Sequence, residues 1–174
     1  MGSNLTTSWI NVFQKQRRHV LLLGLDNAGK TTTWLLLKHS EEVDTILSLG
    51  FTVETMHYNN IELTTWGTAL KDHVRRFLRH YLPHTDAIAF VVDSADPDRF
   101  QEASEALRYI FEALELSVVK LLVLANKLDL PRAKSPSEIA EKMTLEPIAT
   151  NSRTILPCSA TTGTGVFEGL EWLK

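Results

Sequence analysis

Hydrophobic residues of the chain fall into short continuous runs, separated by longer stretches in which they recur at helical spacing. Residues 20–23, 87–92 and 121–125 are apolar throughout, which is typical of strands buried on both faces of a sheet. Residues 50–58 and 61–66 alternate instead and are joined by Asn59-Asn60, so they predict an antiparallel hairpin. Residues 154–158 predict one more short strand. Residues 40–48 are polar and acidic and are expected to form a loop.

Helical spacing predicts the elements between these strands. Residues 31–38, 71–82 and 166–174 each place apolar side chains on one face. Asp96 and Pro97 predict an N-cap and a proline at the first position of a long helix. Ser135-Pro136-Ser137-Glu138 has the form of a capping box. The buried stripe of the long helix is expected to contain Phe100, Ala103, Leu107, Ile110, Phe111 and Leu114.

The order of these elements predicts the fold class. Strands that alternate with helices favour an α/β domain in which helices cover both faces of a mostly parallel sheet. The predicted strands give a six-stranded sheet, and the hairpin gives it one antiparallel strand.

Composition bounds the possible functions. The chain has 174 residues, enough for one domain with a substantial core, and a net charge of −3 gives no overall attraction to nucleic acid. Its one cysteine, Cys158, excludes a disulfide within the chain and suits a reducing compartment. No apolar run approaches the ~18 residues that a membrane-spanning helix needs. We therefore expect a cytoplasmic monomer that does not bind nucleic acid.

The first chemical signal follows the first predicted strand. Lying between a strand and a helix, a loop of the pattern G-x-x-x-x-G-K-[ST] turns its backbone N–H groups inward and adds the positive end of the helix, so it holds a phosphate. Lys30 is expected to reach the terminal phosphates, and the Thr31 hydroxyl to ligate Mg²⁺. The predicted phosphate-binding residues are Gly24, Leu25, Asp26, Asn27, Ala28, Gly29, Lys30, Thr31 and Thr32.

The second signal, N-K-L-D, follows the strand at residues 121–125, at the end of the strand where open α/β sheets bind ligands. Asp129 is predicted to accept hydrogen bonds from guanine N1–H and the 2-amino group, which adenine cannot reproduce. Asn126 is predicted to bind the other edge of the purine and to pin the loop, and the Lys127 stem to lie along the ring. Ser159 and Ala160 follow the last strand, and the Ala160 N–H is expected to meet the guanine oxygen.

The N-terminal residues carry the ingredients of a membrane anchor. Residues 1–6 match M-G-x-x-x-[ST], a pattern for myristoylation of Gly2. One acyl chain holds a protein to a membrane only marginally, so an apolar helical face and nearby cations matter. The apolar face is expected to contain Leu5, Trp9, Ile10 and Phe13, and the basic cluster Lys15, Arg17, Arg18 and His19. We expect residues 1–18 to form an amphipathic segment ahead of a nucleotide-binding domain at residues 19–174; an ordinary frayed terminus is the alternative.

Together these motifs resemble the ADP-ribosylation factor (Arf and Arf-like) family of small GTPases over essentially the whole chain. Besides the two signals above, the matching stretches are Gly50-Phe51-Thr52-Val53-Glu54, Arg79-His80-Tyr81, Val91-Val92-Asp93-Ser94, Leu130-Pro131 and residues 167–173. The resemblance implies the small-GTPase form of the P-loop NTPase fold, with GTP or GDP and Mg²⁺ as ligands. It also implies a membrane-trafficking switch, as at the Golgi, with exchange factors and effectors that bind its switch regions and an N-terminal helix that GTP releases.

Both switch regions depart from the family pattern. In the first, Ser48 stands where a threonine hydroxyl completes the Mg²⁺ shell, and a serine can still ligate. In the second, Gly67-Thr68-Ala69-Leu70-Lys71 replaces D-x-G-G-Q. Gly67 has no carboxylate for the Mg²⁺ water shell, Leu70 replaces a glycine that approaches the γ-phosphate, and Lys71 cannot accept a hydrogen bond from the attacking water. GTP hydrolysis is therefore expected to be weak or lost, and no residue is assigned a catalytic role.

Three hypotheses remain open from the sequence. The first is a membrane-associated switch with slow or absent hydrolysis. The second is a pseudo-GTPase that holds nucleotide structurally and recruits partners, with the cations of residues 71–80 as a docking surface. The third is an adenine-nucleotide enzyme of the phosphate-loop class, against which Asn126 and Asp129 argue. Asp93 is expected to bond to the turn that follows it rather than to a metal.

Overall fold

Seven strands and four α-helices make up the described part of this computed structural model, which covers residues 17–39, 43–48, 51–66, 84–113, 119–145, 148 and 152–174. The strands are β1 Arg18–Gly24, β2 Val43–Ser48, β3 Phe51–Tyr58, β4 Ile61–Trp66, β5 Ala87–Asp93, β6 Lys120–Asn126 and β7 Ser152–Pro157. The helices are α1 Lys30–Lys38, α2 Phe100–Ala113, α3 Pro136–Met143 and α4 Val166–Leu173, and a 3₁₀ turn, Pro97–Arg99, leads into α2.

One sheet contains all seven strands, in the order β2-β3-β4-β1-β5-β6-β7. β3 pairs antiparallel with both of its neighbours, and the remaining pairs are parallel. One hydrophobic cluster contains residues of α2 and α3 and covers one face of the sheet, while a second contains residues of α1 and α4 and covers the other. The predicted α/β fold, with a mostly parallel sheet and one reversed strand, is confirmed.

The sheet has seven strands where the sequence predicts six, because part of the loop expected at residues 40–48 is the edge strand β2. Its pairing with β3 runs from Val43 opposite Met56 to Ser48 opposite Phe51. An edge strand is stabilised mainly by backbone pairing with its neighbour, so its sequence need not show the apolar run of a central strand. The polar composition of this segment therefore concealed its pairing.

The apolar runs identify the centre of the sheet correctly. Six consecutive residues of β5, from Ala87 to Val92, are buried, as are six of the seven residues of β6. The stripe predicted for α2 is also buried from Phe100 to Phe111, and Leu114 lies outside the described residues. Central parallel strands are covered on both faces, and for this reason their sequence signal is strong.

The predicted helix starts have different outcomes. Ser135 forms the expected capping box: its Oγ accepts from the Glu138 N–H, and the Glu138 carboxylate accepts from the Ser135 N–H. Pro97 does occupy the first position after Asp96, but a 3₁₀ turn begins there, and the Asp96 side chain makes no capping hydrogen bond. Asp96 thus occupies the N-cap position ahead of Pro97 as predicted, but it precedes a 3₁₀ turn and its side chain does not cap, and the α-helix begins only at Phe100.

Several sequence-based expectations fall outside the described residues. They are the N-terminal anchor at residues 1–16, the second-switch residues Gly67, Leu70 and Lys71, and the helix at residues 71–82. The hairpin turn is described, and Asn59 there has the positive φ of 54° expected of an asparagine in a tight turn. None of the helices in the described ranges has the length and apolarity needed to span a bilayer.

Candidate nucleotide-binding site

The loop between β1 and α1 has a backbone suited to an anion. Asn27 and Gly29 adopt positive φ, 58° and 101°, so the chain turns sharply before α1 begins at Lys30. Gly29 occupies the N-cap and provides no side-chain acceptor for the first turn of the helix. The N–H groups of that turn have no partner within the helix, and together with the helix dipole they favour a negative charge.

Two glycines are required here by close contacts. A Cβ atom on Gly29 would lie 2.0 Å from Asn126 Nδ2, and one on Gly24 would lie 2.4 Å from the Val91 carbonyl oxygen. Real Cβ contacts are longer than this, so any side chain at either position displaces its neighbour. The two glycines let the phosphate loop lie directly against β5 and the end of β6.

Lys30 lies across the loop. Its Nζ donates a hydrogen bond to the Leu25 carbonyl oxygen at 2.7 Å, and burial lowers the pKa of its ammonium group. The Lys30 ammonium group is partly desolvated and lies near the N–H groups of the first turn of α1, and together these donors are complementary to an oxyanion. The residues present therefore fit a phosphate group.

The predicted metal ligands are only partly described. Thr31 lies exposed in the first turn of α1, while the neighbouring Thr33 is buried and donates from Oγ1 to the Gly29 carbonyl. Ser48 is the last residue of β2, and its side chain is outside the described part of the chain. Within that part, no group of three or more His, Cys, Asp or Glu side chains is placed to hold a metal ion. The Thr31 hydroxyl is of the oxygen type that Mg²⁺ prefers, and with such a ligand the ion would keep water and phosphate oxygens in its shell.

Asn126 joins the phosphate loop (residues 24–32) to the loop at residues 126–129, called the guanine loop after the ligand predicted from its sequence. Its side chain is 2% exposed; Nδ2 donates to the Ala28 carbonyl at 2.9 Å, and Oδ1 accepts from the Ala160 N–H at 2.8 Å. The loop-pinning role predicted for Asn126 is thus seen directly. The Ala160 N–H, predicted to meet guanine, is donated to Asn126 in this structure.

Lys127 is oriented by an ion pair. It has a positive φ of 69°, and its Nζ lies 2.6 Å from Asp93 Oδ2, while Asp93 Oδ1 accepts from the Ala95 N–H at 3.0 Å. The expectation that Asp93 bonds to its own turn is confirmed. The same carboxylate also fixes the direction of the lysine stem, which sequence patterns do not reveal.

The rest of the guanine loop rests on the segment after β7. The Leu128 N–H donates to the Cys158 carbonyl at 3.0 Å. Asp129, the next residue in the turn, is exposed. Ser159 and Ala160 are buried, and Ser159 Oγ accepts from the Thr162 N–H.

Cys158 is fully buried, and this burial raises the pKa of its thiol to about 12.

The fold thus brings together three loops that are far apart in sequence: the phosphate loop, the Asn126–Asp129 turn and the Ser159-Ala160 segment. Two further residues contact this site without having been predicted in it. Asp93 pairs with Lys127, and Arg99 binds the Asp26 side chain and carbonyl. No motif marks Arg99, because only the path of the chain after β5 brings it to the phosphate loop.

Comparison with known families gives the same assignment for the whole chain. A model of the ADP-ribosylation factor family matches residues 5–174. Proteins of that family are small GTPases that bind GTP or GDP together with Mg²⁺. The chain therefore belongs to the ADP-ribosylation factor family.

Proposed function

We propose that this protein is an Arf-like guanine-nucleotide switch that acts at membranes in vesicle trafficking and hydrolyses GTP slowly or not at all. The observation that carries the nucleotide part is the junction at Asn126, which holds the phosphate loop and the guanine loop at hydrogen-bonding distance. Lys30 and the start of α1 bind the phosphates, and Asp129 recognises the guanine edge. The proposed site comprises Gly24, Leu25, Asp26, Asn27, Ala28, Gly29, Lys30, Thr31, Thr32, Asn126, Lys127, Asp129, Ser159 and Ala160.

Slow hydrolysis follows from the composition of the second switch. Thr31 and Ser48 would hold a Mg²⁺ ion, which would supply charge neutralisation to the phosphates. Gly67 provides no carboxylate for its water shell, and Lys71 has only donors where an acceptor must orient water. Binding and turnover are thereby separated: the binding groups are present, and the hydrolytic groups are replaced.

Nucleotide specificity is tested on the purified chain. Denaturing it and separating the released small molecules should give GDP or GTP, and the affinity for either should exceed that for ATP. Asp129→Asn should lower the guanine preference, because the amide presents donors where guanine also donates. Tighter binding of ATP than of GTP by the unmodified chain would instead support the adenine-nucleotide enzyme.

Hydrolysis is tested in a single-turnover assay with bound GTP. The unmodified chain should retain most of its GTP over the time in which the variant Gly67→Asp/Ala69→Gly/Leu70→Gly/Lys71→Gln, which restores the family pattern, converts it to GDP. Rapid hydrolysis by the unmodified chain would refute this part of the proposal and leave the binding part unaffected.

A pseudo-GTPase is the second candidate, favoured by the same replacements in the second switch. Such a protein holds nucleotide as a structural ligand and recruits partners in either state, with the cations of residues 71–80 available for docking. Equal affinity for GDP and a GTP analogue, with identical hydrogen exchange in the two complexes, would favour it over a switch.

Membrane association is assigned to residues 1–18, ahead of the nucleotide-binding domain at residues 19–174. Gly2→Ala removes the myristoylation site and should shift the protein from the membrane to the soluble fraction of expressing cells. Ser3→Ala keeps Gly2 and serves as the control. Unchanged fractionation of the Gly2→Ala variant would contradict the anchor.

A further inference from the structure

Arg99 forms a charged link between the phosphate loop and the start of α2. Its Nη1 donates to the Asp26 carbonyl at 3.1 Å, and its Nη2 donates to Asp26 Oδ1 at 2.7 Å. On the other side, Nε and Nη2 donate to the two oxygens of Glu102 at 2.7 and 2.9 Å. One guanidinium thus binds a backbone and a side-chain oxygen of the phosphate loop while Glu102 of α2 orients it.

The neighbours of Asp26 in the loop are held in other ways. Leu25 packs against the hydrophobic cluster that contains Phe100 and Ala103 of α2. The Asp26 side chain itself is exposed, beside a pocket between the loop and α2 that is partly open to solvent. The two hydrogen bonds from Arg99 therefore fix the position of Asp26 on this exposed side of the loop.

The charges in this group also affect a bound phosphate. Hydrogen bonding from Arg99 lowers the pKa of the Asp26 carboxyl, so Asp26 is ionised at neutral pH. A carboxylate on the phosphate loop repels a polyphosphate, and the repulsion grows with the negative charge of the nucleotide. Arg99 offsets that charge and holds the carboxylate toward α2.

We propose that Arg99 is a positioning residue that tethers the phosphate loop through Asp26 and sets the preference of the site for the triphosphate over the diphosphate. The inference rests on the proposed guanine-nucleotide function. Without the guanidinium, the Asp26 carboxylate is left unneutralised on a loop that is no longer tethered. The more highly charged GTP then loses more affinity than GDP.

The test measures the affinity of the full chain for Mg²⁺-GDP and for a non-hydrolysable GTP analogue at low ionic strength. Arg99→Ala should shift the ratio of the two affinities about fivefold toward GDP, the size expected for a partly exposed charge network. Arg99→Lys keeps the positive charge but lacks the several planar N–H donors of the guanidinium, so it should shift the affinity ratio less. The control Arg108→Ala, which removes an arginine of α2 paired with Glu112, should leave the ratio unchanged.

The decisive variant is the double substitution Asp26→Ala/Arg99→Ala, which removes the unneutralised carboxylate and should restore the ratio. The shift in Arg99→Ala should also shrink in 1 M salt, where charges are screened within ~3 Å. An unchanged ratio in both Arg99 variants, or a double variant no better than Arg99→Ala alone, would overturn the inference. Failure of the unmodified chain to bind any guanine nucleotide would instead overturn the proposed function.

Discussion

Asn126 is the residue on which the geometry of the candidate site depends most. It is buried, and both ends of its amide are used by backbone groups of other loops, at Ala28 and Ala160. An aspartate at this position would keep the acceptor for Ala160 and lose the donor for Ala28. The amide is therefore required for its combination of one donor and one acceptor.

Asn126→Ala should destabilise the fold as well as weaken nucleotide binding. It leaves the Ala28 carbonyl and the Ala160 N–H without their partner, which should lower the free energy of unfolding by about 3 kcal/mol. Denaturant unfolding of the nucleotide-free chain measures this, with Asn60→Ala in the β3–β4 turn as the control. A loss no larger than that of the control would contradict the structural role of Asn126.

Cys158 provides a second test at the scale of one residue. Because burial raises the pKa of its thiol to about 12, almost no thiolate exists at neutral pH, and the sulfur has no exposed surface. The native protein should therefore resist iodoacetamide at pH 7.5 and be alkylated after unfolding, as followed by intact mass. Rapid alkylation of the native state would show that the segment directly after β7 opens readily.

Among the elements, α3 shows most clearly how a local sequence pattern determines structure. Ser135→Ala removes the side-chain acceptor of the capping box and should cost about 1 kcal/mol of unfolding free energy. Glu141→Ala, on the exposed surface of the same helix, should change stability much less and is the control. Thermal unfolding compares the two variants, and equal losses would show that the cap is not a stabilising contact.

The same capping box makes the stability of the protein depend on pH. The hydrogen bond from the Ser135 N–H lowers the pKa of Glu138 below its ordinary value of 4.5, so the folded state favours the carboxylate. The stabilisation is complete above pH 4.5 and is lost as the pH falls through the lowered pKa. The stability advantage over Glu138→Gln, measured by denaturant unfolding, should therefore shrink as the pH is lowered from 7 toward 3. An advantage that does not change with pH would contradict the assignment.

At the scale of the whole molecule, the sheet should open from its edges. β5 lies in the interior of the sheet between β1 and β6 and is buried on both faces, whereas β2 is an edge strand that, among the described residues, pairs only with β3. Amides of β5 should exchange with deuterium only through global unfolding, and amides of β2 through local opening at lower free energy. Hydrogen exchange followed by mass spectrometry tests this order, and equal protection of the two strands would contradict it.

The sequence by itself determined the elements whose signal is local. Continuous apolar runs mark β1, β5 and β6 because strands covered on both faces exclude polar side chains. The capping box marks the start of α3, and the glycine-rich loop together with N-K-L-D marks the nucleotide site and its family, because these signals lie within a few consecutive residues. The polar edge strand β2 and the 3₁₀ turn before α2 escaped prediction, since neither carries such a signal.

Only the tertiary structure decided which distant groups meet. In the folded chain, Asn126 links two loops and Asp93 pairs with Lys127. Arg99 binds Asp26, which lies 73 residues away in the sequence. Such pairs depend on the order of strands in the sheet and on the path of the chain after β5. In a parallel sheet, the carboxyl ends of neighbouring strands bring together residues that are remote in sequence. Spacing along the chain therefore does not reveal which of these residues touch.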